Sequence, residues 1–274
     1  TYSERTRDAM IGVITHEIGH NFFPMIVNSD ERQWTWMDEG LNSFIETLTE
    51  LSFDPNFETG NLPSDIVDYM AGDQSNISPI MTQGNNVHQF GPNAYTKPAA
   101  GLYMLRKTIL GEELFDYAFQ TYARRWMFKH PTPEDFFRTM EDASATDLDW
   151  FWRGWFYTTD VTDIGIKSVK QYRVTNKPTK KMMQLVKPYG IKTPEQLRPF
   201  IYLSTEEITK GEPEKALQVK LLADFIEANY KSKEEAKLPT YFYEVTFDKP
   251  GGLVMPIIVE YTYADGSKER TKYP

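Results

Sequence analysis

The chain has 274 residues, 40% of them hydrophobic and 25% charged, with a net charge of −9, four histidines and no cysteine. This is the balance of a globular protein long enough for one large domain or two ordinary ones. The acidic excess argues against a nucleic-acid partner, and the lack of cysteine excludes disulfides and thiolate metal ligands. No apolar run is long enough to span a membrane as a helix.

In chain order, a helix is predicted from about Glu4 to Asn21, with Ser3 as its N-cap and Met10, Val13, Ile14 and Ile18 turned inward. Pro24 ends it, and Asn28 to Glu31 is a polar turn. A second helix is predicted from Asp38 to Leu51, with Leu41, Phe44, Ile45 and Leu48 on its buried stripe and Glu39 in its first turn. A short helix from Leu62 to Ala71 follows, and Gly72 to Asn93 reads as an irregular segment of the kind that often serves function. Helices resume at Ala94 to Leu110 and at Glu112 to Lys129. The next starts after Thr132-Pro133-Glu134, which places an N-cap and a first-position proline in register. A last helix, Asp147 to Tyr157, carries the densest aromatic patch, and rings recurring at helical spacing are expected to fill a core.

Past Asp160 the pattern changes. Ile164 to Val169, Tyr172 to Val174 and Tyr241 to Phe247 alternate as strands do, and Met255 to Tyr263 is expected to pair with Glu269 to Tyr273 as a hairpin. Between them, Glu212 to Tyr230 has helical period. The expected organisation is a helical domain over residues 1–160 and a smaller mixed α/β region over 161–274. The chain enters its first helix without an initiator Met or a leader and stops straight after a strand, so an internal piece of a longer protein is expected, with the remaining domains of that parent as its partners.

The chemistry concentrates in His16-Glu17-Ile18-Gly19-His20, which holds two of the four histidines. Four residues apart on a helix, His16 and His20 lie on one face, one turn above the other, and can grip one metal ion. Zinc accepts nitrogen and carboxylate ligands, and a catalytic zinc uses three protein ligands and leaves a position open. Glu17 then stands beside that position as a general base without being a ligand. The competing account is a helix with two surface histidines and a solvated acid, with Ser43, His88 and His130 as ordinary surface residues.

Eighteen residues separate His20 from Glu39, which sits in Trp36-Met37-Asp38-Glu39-Gly40. On these residues the chain resembles the aminopeptidase N family of gluzincin zinc metallopeptidases, with Asp38 where the family usually has Asn. Ala94-Tyr95-Thr96-Lys97-Pro98 resembles the family's Tyr-x-Lys-Gly segment, with Pro98 in place of glycine. The likeness runs over roughly residues 5–157.

The resemblance implies a mainly α fold, the C-terminal helical half of a thermolysin-like catalytic domain, followed by a smaller α/β or β region. It implies one Zn²⁺ per chain held by His16, His20 and Glu39, with Glu17 as base, Tyr95 as oxyanion donor and a peptide as substrate. The family's Gly-x-Met-Glu-Asn strand, which binds the substrate's free amine, does not occur in this sequence. Four readings stay open: an aminopeptidase, a thermolysin-like endopeptidase, a related hydrolase of a non-peptide substrate, and a folded zinc-binding chain without turnover.

Overall fold

The structure is a computed structural model that describes residues 3–175, 180, 183–184, 187–190, 192–193, 200–203 and 241–273. It divides into two compact units, Thr1–Asp163 with Gly251–Pro274, and Ile164–Pro250. The expected region 161–274 therefore does not stay together. Residues 251–274 belong to the first unit because Leu253 is buried in the helical core and the Lys272 ammonium donates to the Thr108 and Ile109 carbonyls at 3.1 and 3.0 Å.

In the first unit, α1 (Glu4–Gly19) leads through a kinked segment, Asn21–Ile26, with a cis Phe23–Pro24 bond, and a turn closed by the Trp34 amide on the Asp30 carbonyl, to a π-helical turn, Trp36–Gly40, which runs directly into α2 (Leu41–Phe53). A short α3 (Val67–Met70) precedes a long irregular segment that contains only the single turns Gln74–Asn76 and Gly84–Asn86 as helical structure. A second π-helical turn, Pro92–Thr96, opens α4 (Lys97–Met104), which ends in a third, Leu105–Ile109. Next come α5 (Glu112–Trp126), α6 (Pro133–Ser144) and α7 (Asp149–Tyr157). Thr132 caps α6 as its sequence predicts: its side chain accepts from the Asp135 amide, and Asp135 reaches back to the Thr132 amide. Such a box is worth about 1 kcal/mol.

The core is aromatic. Phe151, Trp152, Trp155 and Phe156 of α7 are buried, and Trp152 stacks on Phe137 of α6 with ring centroids 4.7 Å apart. Trp36 lies edge-on to Phe156 at 4.8 Å, so the turn that carries Glu39 is anchored in this core one helix away from its own. Trp155 Nε1 donates to the Lys97 carbonyl at 2.9 Å and ties the start of α4 to the same cluster. The aromatic patch is a core element, as its spacing indicated.

The first helix departs from expectation. Met10, Val13, Ile14 and Ile18 are exposed, at 42%, 61%, 50% and 64% of their surface. The face of α1 that packs on α2 is instead small and polar, with Gly12 buried and His16 and His20 half-buried. Gly19 sits so close to α2 that a Cβ there would lie 2.0 Å from Asn42 Oδ1, and Asn42 Nδ2 donates to the His16 carbonyl at 2.7 Å. The apolar stripe was real, but the polar side chains on the other face are drawn inward by the partners that α2 offers.

The second unit contains β1 (Gly165–Thr175), paired antiparallel with β2 (Phe200–Leu203) on one side and β3 (Tyr241–Asp248) on the other, in the order β2-β1-β3. The two predicted strands Ile164 to Val169 and Tyr172 to Val174 are one continuous strand with an irregularity between Ile166 and Ser168. The predicted helix Glu212 to Tyr230 lies outside the described residues. Back in the first unit, β4 (Ile257–Thr262) and β5 (Lys268–Tyr273) form the expected hairpin, with Ile257 opposite Tyr273 and Thr262 opposite Lys268.

Candidate metal centre

Three side chains from two elements meet at one point. His16 comes from the last turn of α1, His20 is the residue that ends it, and Glu39 comes from the π-helical turn before α2. His16 Nε2 lies 3.0 Å from His20 Nε2 and 3.1 Å from Glu39 Oε2, and His20 Nε2 lies 3.3 Å from the same carboxylate oxygen. Glu39, expected in a regular first helical turn, is carried by a widened one, a feature often found at functional positions.

The other nitrogen of each imidazole is held. His16 Nδ1 lies 2.9 Å from Glu46 Oε2, and His20 Nδ1 lies 2.9 Å from the Phe23 carbonyl with Asp38 Oδ1 at 3.1 Å. A carbonyl and a carboxylate only accept, so both Nδ1 atoms carry protons when the rings are neutral. The Nε2 lone pairs then point to the same place. Orientation of ligating histidines by such partners is the usual outer layer of a metal site.

The electrostatics favour a cation. Hydrogen bonds to Glu39 and then Glu46 outweigh burial and raise the His16 pKa to about 10. Burial alone would raise the Glu39 carboxyl, but hydrogen bonds from His16 and Tyr95 and the nearby histidines hold it below the ordinary glutamate range. Asp38 moves the other way, up to about 7, through burial and the charge of Glu39. Two imidazoles and one ionised carboxylate suit a borderline ion such as zinc. The residues present therefore fit that ion.

The cluster opens on a cleft of about 590 Å³ lined by His16, Glu17, Ser43, Glu46 and Tyr95 among others. Glu17 is exposed at its edge. Tyr95, from the second π-helical turn, stacks on His16 with centroids 5.7 Å apart and planes at 25°. Burial and its hydrogen bond to Glu39 raise the phenol pKa well above its ordinary value. Pro98 stands in the first turn of α4, directly after the π-helical turn, and its ring packs against Gly40, beside Glu39.

His16, Glu17 and Tyr95 thus line one cleft, and His20 and Glu39 meet the His16 ring at its Nε2. Ser43 is buried rather than a surface serine, while His88 and His130 are exposed and join no cluster of possible metal ligands among the described residues. A second group, Glu141, Asp147 and Asp149, is acidic and mostly exposed without a histidine. Sequence reasoning missed Glu46. The available signal was its spacing, two turns after Glu39 on one helix, but a surface acid has the same spacing.

The sequence matches the Peptidase family M1 domain over residues 1–155. It is 27% identical to aminopeptidase N of Bos taurus over 53% of this chain and 16% of that protein, and 27% identical to glutamyl aminopeptidase of Homo sapiens over 48% and 14%. An M1 zinc metallopeptidase from Deinococcus radiodurans is similar in structure, with 18% identity, a TM-score of 0.48, and coverage of 56% of this chain and 34% of that one. The chain spans about a sixth of the length of the curated relatives it matches. With a match covering more than half of its residues and a HExxH helix and glutamate brought to one point, the chain belongs to peptidase family M1.

Proposed function

We propose that this chain carries the metal-bearing part of the catalytic site of a zinc aminopeptidase acting on peptides. The observation that carries the reading is the convergence of His16 Nε2, His20 Nε2 and a Glu39 oxygen on one point, with both Nδ1 atoms held by acceptors. These three residues would hold one Zn²⁺. Zinc, when bound, acidifies water and polarises the scissile carbonyl.

Glu17, at the edge of the cleft, takes the proton from the attacking water and passes it to the leaving amine. Tyr95 keeps its proton at neutral pH because burial and the Glu39 carboxylate disfavour the phenolate, so it can donate to the oxyanion that forms on the carbonyl. Glu46 holds the His16 ring in place through Nδ1–H. Peptide cleavage then needs no group in this chain to change its covalent state.

A second reading, zinc binding without independent turnover, is favoured by the apolar face of α1, where Val13 and Ile18 are more than half exposed. That face has the character of a surface made to be covered.

Zinc content per chain after dialysis, wild type against His20→Ala, tests both readings when hydrolysis of an unblocked and an N-acetylated amino-acid anilide is followed on the same samples. One zinc and cleavage of the unblocked substrate alone supports the aminopeptidase. Zinc without cleavage supports the second reading, and cleavage of the blocked substrate points to an endopeptidase. Absence of zinc from the wild type would sink the metal reading.

A further inference from the structure

Glu50 lies one turn beyond Glu46 on α2 and is only 2% exposed. Its Oε2 is buried without a hydrogen-bond partner. A carboxylate in that position would lose its hydration without compensation, a cost a buried acid avoids by keeping its proton.

Opposite Glu50 stands Gly12 of α1, and a Cβ at Gly12 would lie 2.9 Å from Glu50 Oε1 and 3.4 Å from Glu46 Oε1. The two carboxyl groups therefore share one notch, which exists because α1 has no side chain there. The charged groups facing Glu50 are Glu46 on its own helix and Asp8 and His16 on α1. Glu46 already accepts from His16 Nδ1 through Oε2. Two carboxyl groups packed into one notch attract each other only through a shared proton.

We propose that Glu50 is a positioning residue for the metal centre: its protonated carboxyl donates to the Glu46 carboxylate and fixes the rotamer in which Glu46 orients His16. This rests on the reading of His16 as a metal ligand. Burial, the charges of Glu46 and Asp8 and the hydrogen bond to Glu46 push Glu50 up to about 8 and are in keeping with a proton held at neutral pH. The relay runs from Glu50 through Glu46 to His16, so that the ligand ring on α1 is set by two side chains of α2.

The test uses the full chain. Zinc affinity is measured by competition with a chromophoric chelator for wild type, Glu50→Gln and Glu50→Leu, and the infrared carbonyl stretch of a protonated carboxylic acid is recorded at neutral pH for wild type and Glu50→Gln. Gln keeps a donor for Glu46, whereas Leu keeps bulk alone. The expected result is a loss of about tenfold in affinity for Leu, with Gln within about twofold of wild type, at the low end of what outer partners of metal ligands contribute. An acid band should be present in wild type and missing from Glu50→Gln.

An unchanged affinity in Glu50→Leu, equal losses in both variants, or no acid band assignable to Glu50 would each overturn the proposal. The band requires no apolar variant to fold, so the test survives a poorly behaved Leu protein. A wild type that binds no zinc would instead overturn the metal reading beneath it.

Discussion

His16 Nδ1 lies 2.9 Å from Glu46 Oε2 while its Nε2 lies 3.1 Å from Glu39 Oε2, so one imidazole is clamped between two carboxylates from the same stretch of chain. This clamp links the electrostatics of the site to its geometry. Removing the ring's proton, or replacing it by a metal ion at Nε2, acts on the same contacts.

The first prediction concerns pH. The metal-free protein holds His16 at a pKa of about 10, against roughly 6.5 in an unfolded chain. A pKa raised by folding contributes stability that is fully present below the unfolded value and is lost as pH rises through the folded one. Stability of the metal-free chain should therefore decline between about pH 6.5 and pH 10. Zinc binding near pH 7.5 should release a proton from His16, visible as a dependence of the calorimetric enthalpy on the ionisation enthalpy of the buffer. A buffer-independent enthalpy would contradict the clamp.

The second concerns the ligand carboxylate. Glu39→Ala removes one of the three converging atoms and the acceptor of Tyr95. Zinc retained after dialysis should fall from one per chain to none, read by elemental analysis with far-UV circular dichroism as the control for folding.

The third separates holding the ion from using it. Glu17 is exposed and is not among the converging ligands, so Glu17→Gln should keep its zinc. Peptide hydrolysis should drop by about 10²–10⁴, the usual contribution of a general base. Turnover near the wild-type value would remove Glu17 from the mechanism.

The fourth concerns Tyr95. Tyr95→Phe keeps the ring that stacks on His16 and deletes the donor. The turnover number should fall by about 10²–10³ with KM little changed, because the hydrogen bond strengthens as the oxyanion forms. A change confined to KM would instead make Tyr95 a substrate-binding residue.

The fifth concerns the packing of α1 on α2. Gly19→Ala would put a Cβ 2.0 Å from Asn42 Oδ1 and disturb the bond from Asn42 to the His16 carbonyl. A loss of about 1–3 kcal/mol is expected from such overpacking, measured by denaturant unfolding. Zinc affinity should weaken as well, since the displaced backbone carries a ligand.

The helical half of the fold was largely legible because its signals are local. Thr132-Pro133 marks the start of α6 and the aromatic spacing of α7 marks a buried face. The hairpin of β4 and β5 was legible for the same reason, since its turn residues and alternation lie within a short stretch. The hairpin follows the strands of the second unit in sequence but clusters with the helices. Leu253 and Lys272 join the helical unit through contacts with residues far earlier in the chain.

Sequence alone determined which residues could serve a metal: with no cysteine and four histidines, a pair at helical spacing and a glutamate after eighteen intervening residues leave few other choices. Helical periodicity puts both imidazoles on one face whatever surrounds them. Tertiary structure decided the rest. That α1 turns its polar face inward depends on Asn42, Glu46 and Glu50 waiting on α2, and that Glu46 clamps His16 while Glu50 shares a notch with Glu46 depends on the close approach at Gly12 and Gly19. Burial and hydrogen bonding between elements distant in sequence set these relationships, and hydrophobic periodicity within one helix records neither.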